Sequence, residues 1–137
     1  MAANIKKVIE DDGTINYYLG DLHHNPEGPA VIGFAGRHKE YWFKGLRHRI
    51  NGPAIEYLDG DYEYWEKGRR HNSQGPAKCI DGVVEYWIDG RKYANEDEYI
   101  MKLFEMGYVN GKKLNARMNV QSAQYISRAD ISCITKY

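Results

Sequence analysis

Short runs of alternating hydrophobic and polar residues dominate the first 93 residues of the chain, and turn residues separate these runs. The stretch PAIEYLDGDYEYWEKG, residues 53–68, is typical, because it is rich in Tyr, Trp and Ile and is bounded by turn residues. Such a pattern predicts β-strands rather than helices. Asp59-Gly60 suits a two-residue type I′ hairpin turn, since both central residues of that turn need positive φ. This turn places Ala54 opposite Trp65.

The two neighbouring stretches also allow an alanine to pair with a wide aromatic ring across the hairpin. Three-residue turns there place Ala30 opposite Trp42 and Ala77 opposite Trp87. A small cross-strand neighbour leaves room for a wide ring to pack. We therefore expect hairpins whose turns vary between two and three residues while the alanine–tryptophan pair stays fixed.

The same register has an unfavourable consequence for charge. It sets Glu56 directly opposite Glu63, and like charges in that position destabilise a sheet. Lys39 and Lys78 stand at comparable positions in the adjacent stretches. Pairing between stretches is expected to offset the repulsion, although each exposed pair contributes only about 0–1 kcal/mol.

These stretches belong to an internal repeat. Its positions are an aromatic ring, a glycine three residues later, a histidine three residues after that, and a Gly-Pro-Ala triplet. The rings are Tyr17, Trp42, Trp65 and Trp87; the glycines are Gly20, Gly45, Gly68 and Gly90; the histidine position holds His23, His48, His71 and Tyr93; the triplets begin at Gly28, Gly52 and Gly75. Successive rings lie 25, 23 and 22 residues apart, and a period of this length indicates stacked units. Residues 1–93 are therefore predicted to form a mainly β array of three to four antiparallel hairpins in a single sheet.

A helix is predicted over residues 94–107. Asn95 is a good N-cap, Glu98 stands at the capping-box position, and Gly107 suits the position just after the helix. An apolar stripe runs along it through Tyr99, Ile100, Leu103 and Phe104. We expect this helix to cap the open end of the array; a partner-binding or dimerising helix is the alternative. Residues 108–137 have no assigned structure.

Overall charge and hydrophobicity exclude some partners. Nineteen basic and nineteen acidic residues cancel, so neither nucleic acid nor an anionic membrane is expected as a partner. No run is apolar enough for a signal peptide or a membrane span. A soluble, cytoplasmic protein with free thiols at Cys79 and Cys133 is expected, and a homo-oligomer stays open.

The sequence pattern W-x-x-G-x-x-H-R-x-x-G-P-A resembles MORN-like repeats of bacterial, bacteriophage and giant-virus proteins. The resemblance covers about Gly13 to Tyr93. The residues that carry it are Trp42, Gly45, His48, Arg49, Gly52, Pro53 and Ala54 in one copy, and Trp65, Gly68, His71, Gly75, Pro76 and Ala77 in the next. Asn72 departs from the arginine of the pattern. The resemblance implies an elongated sheet of hairpins and a scaffold or interaction role without catalysis, such as a phage-encoded inhibitor of a host or defence protein.

No residue pattern indicates an enzyme, a cofactor or a metal site. Equivalent residues two strands apart lie roughly 10 Å from each other, whereas zinc needs nitrogen ligands at about 2.1 Å. The repeat histidines therefore predict a row rather than a metal cage. The chain has no nucleophile elbow, phosphate loop or dinucleotide fingerprint.

Basic and aromatic residues recur in the loops expected between successive hairpins, and these are the candidate binding residues. They are Arg47, His48, Arg49, Arg69, Arg70 and His71, beside the rings of Trp42 and Trp65. A protein partner is the leading hypothesis; a nucleotide-like or phosphorylated anionic ligand is the alternative. His48 and His71 are expected to hydrogen-bond loop backbone within their own units.

Positions at which the copies differ are the better candidates for function, since the shared positions specify the fold. The differences are Phe43 against Glu66, Leu46 against Arg69, Arg49 against Asn72, and Ile50 against Ser73.

Overall fold

The computed structural model describes residues 4–108, which form antiparallel β-hairpins followed by one helix. The predicted fold class is confirmed. The strands are β1 (Ile5–Ile9), β2 (Ile15–Leu19), β3 (Leu22–His23), β4 (Val31–Ile32), β5 (His38–Glu40), β6 (Trp42–Phe43), β7 (Leu46–Arg47), β8 (Ile55–Tyr57), β9 (Tyr62–Glu63), β10 (Trp65–Glu66), β11 (Arg69–Arg70), β12 (Lys78–Ile80), β13 (Val83–Ile88) and β14 (Arg91–Tyr93). A 3-10 turn covers Phe34–Gly36, and helix α1 covers Glu96–Glu105.

One long sheet is the main body of the fold. Its strands follow the order β1-β2-β4-β5-β8-β9-β12-β13, so each strand pairs with the strand that comes next along this path. All of these pairs are antiparallel. A meander of this kind adds two strands for each repeat of the sequence.

The register corrects the predicted alanine–tryptophan pairs. Val31 pairs with Glu40, Ile55 with Glu63, and Lys78 with Glu85. The next position in each hairpin therefore sets the alanine opposite a tyrosine, and the tryptophan lies one residue further on. The pairs are Ala30 with Tyr41, Ala54 with Tyr64, and Ala77 with Tyr86. Small residues do face wide rings, and all three alanines are fully buried, but the ring was assigned wrongly.

Turn lengths vary more than predicted. The turn at Asp59-Gly60 has three residues, because the Tyr57 N–H donates to the Asp61 carbonyl at 2.9 Å and Leu58 joins the turn. A two-residue turn with positive φ at both residues occurs instead at Asp81-Gly82. In the first unit, four residues separate the paired Gly33 and His38.

The observed register also removes the predicted clash of like charges. Glu56 lies opposite Lys39 and Tyr62, whereas Glu63 lies opposite Lys78 and Ile55. Neighbouring residues of a strand point to opposite faces of the sheet. The shift of one residue therefore puts the two glutamates on different faces and sets each of them opposite a lysine.

Each repeat contains a second, shorter hairpin where the sequence predicts a loop. We call these the side hairpins: the end of β2 with β3, β6 with β7, β10 with β11, and the end of β13 with β14. Successive side hairpins are joined through backbone, since the Gly68 N–H donates to the Arg47 carbonyl and the Gly90 N–H to the Arg70 carbonyl, both at 2.9 Å. The side hairpins therefore form a row along one edge of the main sheet.

Helix α1 covers Glu96–Glu105, inside the predicted range 94–107, and the predicted residues stand at its two ends. The Asn95 side chain accepts the Glu98 N–H at 2.9 Å, and Gly107 has a φ of 82° just past the helix. Tyr99 is fully buried against Tyr86 of β13, and its hydroxyl donates to the Asn72 carbonyl at 2.6 Å. The helix thus packs on the last strands and on the loop of the preceding unit.

Two further expectations concern free cysteine thiols and membrane-spanning segments. Cys79 is buried and disulfide-bonded, so the expectation of a free thiol there was wrong; Cys133 and the rest of residues 109–137 lie outside the described part. Among residues 4–108, no helix is long and apolar enough to cross a bilayer.

Candidate functional site

The arginine and tryptophan candidates alternate in a stack along the side hairpins. The Arg47 guanidinium lies 4.9 Å from the Trp42 ring and 5.0 Å from the Trp65 ring. Arg70 lies 4.8 Å from Trp65 and 4.8 Å from Trp87 in the same way. Cations sandwiched between ring faces gain cation–π stabilisation. These four candidate residues therefore hold neighbouring units together.

Carboxylates of the main sheet neutralise the stacked arginines. Arg47 donates to Glu40 at 2.9 Å, and Arg70 donates to Glu63 at 2.7 Å. The sequence separation is seven residues in both pairs, so the repeat itself reproduces the ion pair. Arg47 and Arg70 consequently offer little uncompensated charge to a ligand.

Glu63 is the most enclosed of these carboxylates, with 7% of its surface exposed. Burial pushes the pKa of Glu63 upward, but the hydrogen bonds from Arg70 and Tyr57 outweigh it and hold the pKa below the ordinary value of 4.5. Burial, together with the hydrogen bond to Glu63, raises the pKa of Tyr57 to about 12. The pair is therefore a charged carboxylate and a neutral phenol at neutral pH.

The repeat histidines join one unit to the next. The Nδ1 atoms of His24 and His48 accept the N–H groups of Lys44 and Lys67, at 2.9 and 2.8 Å. His71 accepts the Asp89 N–H at 3.0 Å. The expectation that the histidines bond backbone was right, but the bond reaches the following unit rather than their own.

The first copy uses a different histidine from the one that spacing suggested. His24 occupies the repeat position, and His23 takes the place that Arg47 has in the next unit. The His23 ring lies 4.7 Å from Tyr18 and 5.3 Å from Trp42, and its Nε2 is 3.1 Å from the Asn16 amide oxygen. The aromatic stack therefore extends through the degraded first copy.

Arg49 also contacts neighbouring residues of the fold. Its guanidinium lies 3.9 Å over the Tyr41 ring and bonds both Glu56 and the Pro53 carbonyl at 3.1 Å. In the next copy the Asn72 amide donates to the Pro76 carbonyl at 2.9 Å. Arginine in one copy and asparagine in the next thus donate an equivalent hydrogen bond to a prolyl carbonyl.

Arg69 differs from the other candidates. It is exposed on β11 opposite Glu66, and its side-chain stem lies over Gly90. No hydrogen bond or ion pair links its guanidinium to another residue of the described part of the chain. Of the eight candidate residues, Arg69 alone is an exposed cation that forms no ion pair within residues 4–108.

Exposed apolar side chains cluster on the first two side hairpins. We call Leu22, Phe43, Leu46 and Ile50 the apolar patch; their exposed fractions are 48%, 44%, 50% and 64%. Three of the four stand at positions where the copies differ, since the next unit has Glu66, Arg69 and Ser73 there. Leu22 was not singled out from the sequence, because its copy is too degraded to align by its glycine and histidine.

The contacts of the apolar patch make it continuous. Phe43 pairs with Leu46 across β6 and β7. Leu22 packs over Gly45, where an added Cβ would lie only 2.9 Å from the leucine methyl group. Ile50 lines a hollow of about 380 Å³ together with Phe43 and His48. The glycine at the side-hairpin turn is therefore needed for close approach of the neighbouring leucine.

One carboxylate cluster could be considered for a metal ion. Asp59, Asp61 and Asp81 offer oxygen atoms within 4.8 Å of one another at the turns of the main sheet. Two of the three are exposed, and exposed acidic groups are common without an ion, so we assign no metal site. The repeat histidines do not belong to such a group within residues 4–108.

Comparisons with models of protein families, with curated proteins and with solved structures find no match to this chain.

Proposed function

We propose that this protein is a non-enzymatic binding protein that engages a protein partner through the row of side hairpins, with the apolar patch at the centre of the contact. The observation that carries the proposal is the exposure of Phe43, Leu46 and Ile50 at the positions where the repeat copies diverge. Contiguous exposed apolar side chains mark interaction surfaces more often than scattered ones do.

The shared positions have structural contacts that account for their recurrence. Trp42 and Arg47 stack, His48 bonds the next unit, and Ala54 packs between tyrosines. The structural contacts do not require the apolar identity of Phe43 and Leu46, since Glu66 and Arg69 fill the same places in the next unit. The stem of Arg69 covers Gly90 as Leu46 covers Gly68. An exposed aromatic residue such as Phe43 also suits the composition of interface centres.

Binding of a nucleotide-like or phosphorylated anion is the weaker candidate. That hypothesis relied on a row of free arginines and histidines, but Arg47, Arg49 and Arg70 each contact a glutamate within 3.1 Å. The geometry therefore favours the protein partner. In keeping with the MORN-like resemblance, a cytoplasmic scaffold or an inhibitor that covers a functional surface of its target is the role we favour.

The test is a quantitative capture from cell extract with two matched double variants. Phe43→Thr/Leu46→Thr removes the centre of the apolar patch, while Leu58→Thr/Val83→Thr removes two similarly exposed apolar side chains at the turns of the main sheet. Threonine keeps strand propensity in both variants, and thermal melts check that each is folded.

We expect one or a few proteins to bind the wild type and the control variant, and to fall by at least about tenfold with the patch variant. If the patch variant captures the same proteins in the same amounts as the control, the apolar patch is not the interface and the proposal is wrong.

A further inference from the structure

Exposed cations follow one another along the row of side hairpins, from the apolar patch to the last hairpin before helix α1. Lys44 and Lys67 stand at the turns of the second and third side hairpins, and Arg69 and Arg91 follow the turns of the third and fourth. All four side chains are exposed. None of them forms an ion pair with another residue of the described range 4–108, whereas Arg47, Arg49, Arg70 and Lys92 each contact a glutamate.

Two of these cations lie at the patch itself. The Lys44 ammonium is 5.4 Å from the centre of the Phe43 ring. Arg69 occupies the place of Leu46 in the next side hairpin, and Leu46 packs over Gly68 directly before it. A partner that covers Phe43 and Leu46 must therefore bring its own groups close to both cations.

Carboxylates of the same edge offset only part of this charge, since Glu66 lies opposite Arg69 across β10 and β11 and carboxylates of α1 line the same hollow as Arg91. Glu66 and Asp89 both lie beside His71, at 3.8 and 3.3 Å. Asp21 stands at the turn of the first side hairpin, on the opposite side of the patch from Arg69. The surface is thus apolar over the first two side hairpins, and Lys44, Lys67 and Arg69 are exposed cations without an ion pair on the second and third, within the described range 4–108.

We propose that the partner presents a polypeptide segment in which carboxylate side chains stand next to apolar ones. This inference rests on the proposed function, since it assigns the chemistry of the partner to the same surface. The apolar side chains of such a segment cover Phe43 and Leu46, and its carboxylates pair with Lys44 and Arg69. Complementary charge at the rim chiefly selects among partners and speeds association.

Nucleic acid fits this surface less well. A polyanion draws its affinity from phosphate contacts, and it would leave the apolar side chains of the patch largely uncovered. The chain as a whole also carries no net charge. Oligonucleotide binding is therefore an outcome that the experiment must be able to detect.

The experiment measures binding of labelled synthetic peptides by fluorescence anisotropy. Three peptides share the same leucines and phenylalanines and carry Glu, Lys or Ser at every other position; a single-stranded DNA oligonucleotide is the fourth probe. The proteins are the wild type, Lys44→Glu/Arg69→Glu, Phe43→Thr/Leu46→Thr, and the charge-matched control Lys7→Glu/Arg37→Glu, which alters two exposed cations of the main sheet.

We expect the Glu peptide to bind at least about tenfold more tightly than the Lys and Ser peptides, and its affinity to fall as salt is added. Lys44→Glu/Arg69→Glu is expected to lose about tenfold or more of that affinity, and the control to keep it. Phe43→Thr/Leu46→Thr is expected to lose it as well.

Equal binding of the three peptides overturns the inference, and so does a Glu peptide that binds the charge-reversed variant unchanged. In either case a loss with Phe43→Thr/Leu46→Thr leaves the proposed function standing. Absence of binding by the Glu peptide, or preferred binding of the oligonucleotide, also overturns the inference. The capture experiment with the patch variant then decides separately whether a protein partner exists.

Discussion

The Nδ1 atom of His48 accepts a hydrogen bond of 2.8 Å from the backbone N–H of Lys67, nineteen residues further along the chain. Lys67 has a φ of 51° and is followed by Gly68 at 78°, the combination that a type I′ turn requires. A lysine in the left-handed region costs about 1–2 kcal/mol. The histidine of one unit thus supports the strained turn of the next.

Replacing this acceptor is expected to loosen the junction between units. His48→Ala removes the acceptor of the exposed Lys67 N–H and is expected to lower the free energy of unfolding by about 0.5–1.5 kcal/mol, the net value of an ordinary hydrogen bond. His48→Asn keeps an oxygen acceptor near the position of Nδ1 and is expected to lose less. Urea unfolding followed by tryptophan fluorescence measures both variants; equal losses would show that the hydrogen bond contributes nothing beyond the packing of the ring.

Arg70 is expected to be more important than its position near the surface suggests. Arg70→Ala removes the cation between Trp65 and Trp87 and leaves the buried Glu63 without its charged partner. Breaking a buried ion pair from one side costs about 3–5 kcal/mol. The same unfolding measurement on Arg70→Ala, Glu63→Gln and the double variant gives the coupling between the two residues.

Exposed Arg69, one residue earlier, is the matched control for Arg70. Arg69→Ala is expected to change stability by less than about 0.5 kcal/mol, as surface substitutions usually do. A stability loss for Arg69→Ala as large as that for Arg70→Ala would contradict the structural distinction between the two arginines.

Acid is expected to weaken the fold through Glu63. Because the pKa of Glu63 is lowered in the folded state, its carboxylate contributes stability above the ordinary value of 4.5, and that contribution is lost as the pH falls through the folded pKa. Glu63→Gln has nothing to protonate there. The urea midpoint of the wild type is therefore expected to fall more steeply below about pH 5 than that of Glu63→Gln; parallel curves would refute the assignment.

Local sequence signals were sufficient to predict the hairpins of the main sheet and the helix. Asn95 and Gly107 flank α1, and the alternation around Ile55 marks a half-buried strand. The pairing register of the strands could not be predicted from local signals. Two- and three-residue turns are both compatible with Asp59-Gly60, and the choice is decided by Ala54 fitting between Tyr41 and Tyr64, which is information from a neighbouring unit.

The sequence does not predict the side hairpins, for a related reason. Type I′ turns are recognised by Asn-Gly or Asp-Gly, whereas Lys44-Gly45 and Lys67-Gly68 need the histidine of the preceding unit to support the lysine. The candidate arginines were likewise judged by sequence proximity. Their partners, seven residues earlier in the chain and in the adjacent unit, become visible only when the units are stacked.

The fourth unit differs from the others at the histidine position. Tyr93 stands where His24, His48 and His71 stand in the earlier units, so the last side hairpin lacks the imidazole acceptor that would receive the turn of a fifth. Insertion of one complete unit between the second and third would keep every junction intact, because each histidine reaches only its immediate successor. We therefore expect the array to tolerate addition or removal of whole units within it, whereas a unit added after the fourth would lack this hydrogen bond.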